Sequence, residues 1–221
     1  MAKRTVLKVF SLVCILLFSS ALVFGVVWGN DSDSGYGGGG KSSTSIREYV
    51  IQGAGYFLNA HADIFLFSNK VELAELNGVN YAEMQQIMAA AVQAMADAET
   101  TYSTLVQIAD GTPYNSEIIA KLIAFDYDTF QQQNGLNAEI FAQVKEYLGK
   151  GDIRGVYYRM LSDIRESLAL LGELKAAVDA YKFPDISVVW HLNQTVSQSF
   201  LFGQDVSMVF HTIIYSESES K

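Results

Sequence analysis

The stretch YAEMQQIMAAAVQAMADAETTYSTLVQIAD, Tyr81 to Asp110, decides the fold. Tyr81, Met84, Met88, Ala91, Met95, Ala98, Tyr102, Leu105 and Ala109 follow an unbroken three-four spacing. On a helix of 3.6 residues per turn such positions stack along one side, so the stretch reads as a core-facing helix with a coiled-coil-like seam. Its three methionines are read as gap-filling core residues, because they coincide with the seam. A soft-metal thioether stripe is the competing use of the same residues.

The same periodicity recurs on either side. From Asp152 to Lys182, Ile153, Tyr157, Met160, Ile164, Ser167, Leu171, Leu174, Val178 and Tyr181 form a second seam, with Asp152 as N-cap. Arg159, Asp163, Glu166 and Glu173 fall on its opposite face, where Arg159 and Asp163 read as an exposed i,i+4 pair. The segment from Ser45 to Asn77 is apolar nearly all round and is expected to be enclosed by neighbours, with Glu48, Gln52, Asn59, Asp63 and Lys70 as its solvated stripe. Between Asn115 and Gly149 a break is expected at Asn134 and Gly135, after which Asn137 can cap a shorter helix. The stretch from Asp185 to Tyr215 starts β-branched, in ISVVW, yet Val189, Leu192, Val196, Phe200, Phe210 and Ile214 share a helical face.

Turn residues punctuate these segments at Asn77-Gly78, Asp110 to Pro113, Gly149 to Asp152 and Phe183 to Asp185. Helices of about 30 residues, near 45 Å long and joined by short connections, imply antiparallel neighbours. The predicted fold class is all-α, an antiparallel bundle of four to five long helices over residues 46–215, followed by a polar tail, SESESK, at 216–221.

Upstream of the bundle lies different grammar. Lys3, Arg4 and Lys8 precede an uncharged apolar run from Val9 to Trp28, with small residues at Ser19, Ser20, Ala21, Gly25 and Gly29. Residues 1–29 are therefore read as an export segment, either a cleaved signal peptide or an uncleaved anchor, since about 20 apolar residues can just cross a bilayer. Residues 30–45, NDSDSGYGGGGKSSTS, have flexible-linker composition. The body is thus expected outside the cytoplasm, periplasmic or secreted, with membrane contact only through an uncleaved N-terminal segment.

Within the linker, GYGGGGKS at Gly35 to Ser42 matches the phosphate-loop pattern G-x-x-x-x-G-K-[ST]. A phosphate loop needs a buried strand before it and a helix after it, and an all-helical chain supplies no parallel sheet. The match reads as a tether.

Charge and cysteine usage narrow the partners. The export segment holds three of the 15 basic residues and none of the 24 acidic ones, which leaves the body with a net charge of −12. Such a surface repels nucleic-acid backbones and anionic lipid. The single cysteine, Cys14, lies in the export segment, so disulfide, thiol and haem-attachment chemistry are absent from the body.

The remaining candidates are few. His61, His191 and His211 are the only histidines, and no E-x-x-H motif accompanies them. His61 sits with Phe57 and Ile64 on the apolar side of its helix and reads as a buried imidazole hydrogen-bonded across the core. His211 could approach it if the first and last helices pack together, whereas His191 falls on a polar face with Gln194 and Gln198. Four of the 12 tyrosines, Tyr81, Tyr102, Tyr157 and Tyr181, lie on seams. Gly53 and Gly55, in QGAGY, mark a close helix crossing or a bend beside His61. No G-x-S-x-G elbow is present.

These observations favour a non-enzymatic, exported helical bundle that binds a protein partner or serves as an envelope-associated structural module. The alternative is a small-ligand or cofactor-binding bundle of sensory type, with His61, His211 and Tyr157 as pocket candidates. The residues call for no metal or cofactor. An exposed aromatic patch would favour the first reading and an enclosed pocket near His61 the second.

Overall fold

The computed structural model describes residues 46–111 and 114–215, without the side chains at 46, 47, 75, 214 and 215. The export segment, the linker with GYGGGGKS and the polar tail lie outside the described residues. Among the described residues the chain is all-helical, with seven helices: α1 (Ile46–Asn77), α2 (Tyr81–Gly111), α3 (Ser116–Ala124), α4 (Tyr127–Asn134), α5 (Ala138–Leu148), α6 (Ile153–Asp179) and α7 (Ile186–Tyr215). Among them, no helix is long and apolar enough to cross a membrane.

Six of the seven starts, those of α2 to α7, have a local cause. Asn and Asp side chains accept bonds from the amides that a first turn leaves free. Asn80 accepts from Glu83 N, Asn115 from Glu117 N, Asn137 from Glu139 N and Ile140 N, Asp152 from Gly155 N, and Asp185 from Ser187 N. Two of these caps, Asn137 and Asp152, are the ones the sequence marks. Helix ends are equally explicit, because Gly78 and Gly135 take the left-handed conformation at φ +78° and +61°.

The segment between Asn115 and Gly149 breaks twice rather than once. The expected break falls at Gly135, and a second one occurs at Phe125-Asp126. There Phe125 turns extended, Asp126 caps α4 through Thr129 N, and the Tyr127 hydroxyl donates to Leu122 O at 2.9 Å. The Thr129 amide also holds the Asp126 carboxyl below its usual pKa.

The described residues gather into two compact units. The first takes residues 46–51, 105–156 and 202–215, so it holds α3 to α5 entire. Leu105, Leu122, Val144, Leu148, Ile153 and Phe202 fill its core, all nearly inaccessible. Arg154 donates to Ala109 O at the C-terminus of α2 and lies 5.1 Å above the Tyr114 ring, a cation placed where helix carbonyls accumulate.

Asp205 is buried in the first unit, and desolvation pushes its carboxyl up to about 6 from 3.8. A carboxyl with a raised folded-state pKa binds more protons folded than unfolded between these values. Its contribution is therefore least unfavourable below pH 4 and worsens as pH rises through 6. Asp205→Asn is expected to stabilise the protein by roughly 1–2 kcal/mol at pH 7.5, with no gain at pH 4. Urea unfolding at the two pH values measures this; an equal effect at both would contradict it.

The second unit takes residues 52–104 and 157–201. The two seams hold. Met84, Met88, Met95 and Ala98 of α2 are 1% exposed or less, as are Ile164, Ser167, Leu171 and Val178 of α6. Tyr181 departs from its expected seam position: its φ is +55°, it is 70% exposed, and it ends the helix while Lys182 N bonds to Ala177 O. Its ring meets Tyr81 edge-on at 5.6 Å.

The two glycines of QGAGY separate by role. A Cβ on Gly53 would lie 2.9 Å from the Tyr102 ring and 3.2 Å from the Thr101 methyl, so Gly53 permits the close approach of α1 and α2. A Cβ on Gly55 would meet nothing within 4 Å. Gly53→Val is expected to cost about 1–3 kcal/mol by overpacking, whereas Gly55→Ala should add up to about 1 kcal/mol through helix propensity. Thermal melts that shifted alike for both would show that neither crossing nor propensity is at work.

Candidate functional site

In the second unit, one turn-by-turn stripe of α1 and one of α7 face each other without closing. Phe65, Asn69 and Glu72 come from α1, and Ile186, Trp190, Asn193 and Ser197 from α7. They are joined by Phe183 from the connection before α7, and together they line a groove of about 460 Å³. The spacing of each stripe, three or four residues, is the spacing of one helix side. Four of the lining side chains are large, apolar and exposed: Phe65 59%, Trp190 65%, Ile186 49% and Phe183 41%.

This overturns the expectation that α1 is enclosed. Its surplus of apolar residues is at the surface near the C-terminal half, where Leu66, Leu73 and Leu76 are also exposed. An indole or phenyl side chain offers 150–250 Å², and burying the exposed share of Trp190 or Phe65 would be worth about 2–3 kcal/mol each.

The floor of the groove is polar and already organised. Ser68 Oγ donates to Ile64 O, while the Asn193 amide donates to both Ser68 Oγ and Val189 O. Both amide protons of Asn193 are thereby used inside the protein, which leaves its Oδ1 as an acceptor. Glu72 adds a carboxylate.

A second depression of about 240 Å³ lies between α6 and α7 in the same unit, lined by Arg159, Asp163, Glu166, His191, Gln194 and Gln198 among others. Here the expected exposed pair is corrected. The Asp163 side chain is 7% exposed; it pairs with Arg159 and accepts from the Ser199 hydroxyl of α7. The face opposite the α6 seam is not solvated at this point because α7 covers it. His191 Nε2 meets Glu166 Oε1 at 2.8 Å, on side chains that are about half exposed. These groups satisfy one another across two helices and so act as a clasp.

The three sequence candidates fall in different surroundings. Tyr157 is 2% exposed, a core residue at the start of its stretch of the second unit. His61, in that same unit, is half-buried with its ring 5.4 Å from Phe200, an aromatic neighbour rather than the expected polar one. Burial lowers its pKa, so the imidazole is held neutral. His211 is exposed and belongs to the first unit. Among the described residues, no three His, Asp or Glu side chains group as metal ligands.

Trp190 and Phe65, which build the groove, carry no motif. The available signal was the unusual apolarity of α1 all round, since a helix with too few polar positions must expose some apolar ones if its neighbours do not cover it. No family model, curated protein or solved structure matches this chain.

Proposed function

We propose that the chain is an exported, antiparallel helical bundle that works by docking another protein in the groove between α1 and α7. Four helices of 27 to 32 residues and their short connections support the bundle arrangement. The basic start and apolar run of residues 1–29 support export, with the Gly/Ser linker as a spacer. Binding rather than catalysis is favoured by a site of apolar walls and few polar groups.

The observation that carries the reading is the exposed wall of Phe65, Phe183, Ile186 and Trp190. Interface hot spots are enriched in such aromatic residues, set at the centre of a patch that a partner desolvates. The test is co-purification from the producing cell under gentle conditions. Wild-type protein should retain a near-stoichiometric protein partner that Trp190→Asp loses while its thermal melt is unchanged. A partner retained equally by both, or none on the wild type, would refute docking at this groove.

A further inference from the structure

The occupant of the groove can be specified further, on the reading that the groove docks a protein. We propose that it takes a cationic amphipathic helix of a second protein, laid along α1 and α7 with its apolar ridge between Phe65 and Trp190 and its lysines or arginines on the rim.

Shape gives the first reason. The groove is walled by two helices at i, i+3/4, i+7 spacing, and a third helix with apolar residues at the same spacing packs into such walls ridge into groove. An extended strand would need a row of free backbone partners, which helices do not offer.

Charge gives the second. Residues 52–104 and 157–201 carry eleven carboxylates against five lysines and arginines, a net of −6. Four of the five cations are paired with carboxylates of the unit: Lys70 with Glu83, Arg159 with Asp163, Arg165 with Glu99 and Lys175 with Asp179. The uncompensated charge is negative. A second copy of the chain would bring −6 against −6, so self-association through this face is disfavoured.

The polar groups of the groove give the third. Glu72 can only accept hydrogen bonds, and the internal bonds of Asn193 leave its Oδ1 to accept as well. Acceptors placed beside apolar walls complement a partner that brings donors, and lysine and arginine side chains are all donors.

Two fluorescein-labelled 20-residue peptides serve as probes. Both carry Leu and Phe on one helical face; one is flanked by Lys and Arg, the other by Glu. Binding to the full chain is followed by anisotropy. The basic peptide is expected to bind at least about tenfold tighter at 50 mM salt, with the gap closing at 0.5 M as screening sets in. Glu72→Lys should weaken the basic peptide about fivefold or more and leave the melt unchanged. Trp190→Ala should weaken it at least about tenfold.

Equal binding of the two peptides, or preference for the acidic one, would overturn the cationic assignment while co-purification could still uphold docking. Failure of both peptides to bind would overturn the helical occupant. A concentration-dependent dimer in sedimentation that dissolves in Trp190→Asp would give the face to a second copy instead. Binding that appeared only after removal of residues 2–45 would give it to the chain's own N-terminal segment.

Discussion

Arg159→Met is expected to destabilise the protein by about 3 kcal/mol at pH 7, far more than an exposed ion pair at i,i+4 could lose. The reason is the partner rather than the arginine. Asp163 is 7% exposed, and α7 covers it where it accepts from Ser199. Removing the guanidinium leaves a carboxylate in that place with a hydroxyl as its remaining bonded neighbour in the pair's surroundings. Such a group raises its pKa, so the deficit should shrink as pH falls towards 4. The double variant Arg159→Met, Asp163→Leu removes both charges and should recover most of the loss. Urea unfolding of the three proteins measures the effect. A deficit below about 0.5 kcal/mol for the single variant would place the pair back at the surface.

The second large effect belongs to the methionine seam. Met88 and Met95 are fully buried and Met84 is 1% exposed. Met88→Ala should cost about 2–4 kcal/mol, the transfer of the lost atoms plus a cavity that packed helices cannot close. Met88→Leu conserves volume and should cost less than about 1.5 kcal/mol. The triple change of Met84, Met88 and Met95 to leucine should likewise keep the fold. Cu(I) uptake by the wild type that the triple variant lost would favour the thioether reading instead.

Much of this architecture was legible because the period was legible. Every position from Met84 to Ala109 on the α2 seam is buried, and so is the α6 seam up to Val178. Asn137 and Asp152 cap as their residue types imply. The failures have a common physical cause, which is that single-helix reasoning does not see neighbours. Arg159 and Asp163 look solvated on the wheel of α6, and α7 buries the acid. The all-round apolarity of α1 implies enclosure, yet its neighbours among the described residues leave Phe65 and Leu73 exposed. Gly53 and Gly55 are indistinguishable in QGAGY until Tyr102 is placed against one of them. The break at Phe125 carries no glycine or proline, and it shows only once Asp126 is seen to cap α4 through Thr129 N.

The proposed docking groove draws on the same packing. Trp190 and His191 are consecutive on α7 and point about 100° apart, so one faces the groove shared with α1 while the other meets Glu166 on α6. The α6 clasp fixes the helix that presents Trp190. Breaking the contacts that cross between the two helices, through Ser199→Ala together with His191→Ala, should therefore weaken docking as well as stability.

The most direct measurement puts a photo-crosslinking benzoyl-phenylalanine at position 190 in the full chain within the producing cell, with Tyr158, 49% exposed on α6, as the control position. Irradiation at position 190 should yield one discrete adduct with a second protein, absent from position 158. Mass spectrometry should map its contact to a helix with lysine or arginine flanking an apolar face. The same adducts from both positions, or none from position 190, would contradict docking in the groove.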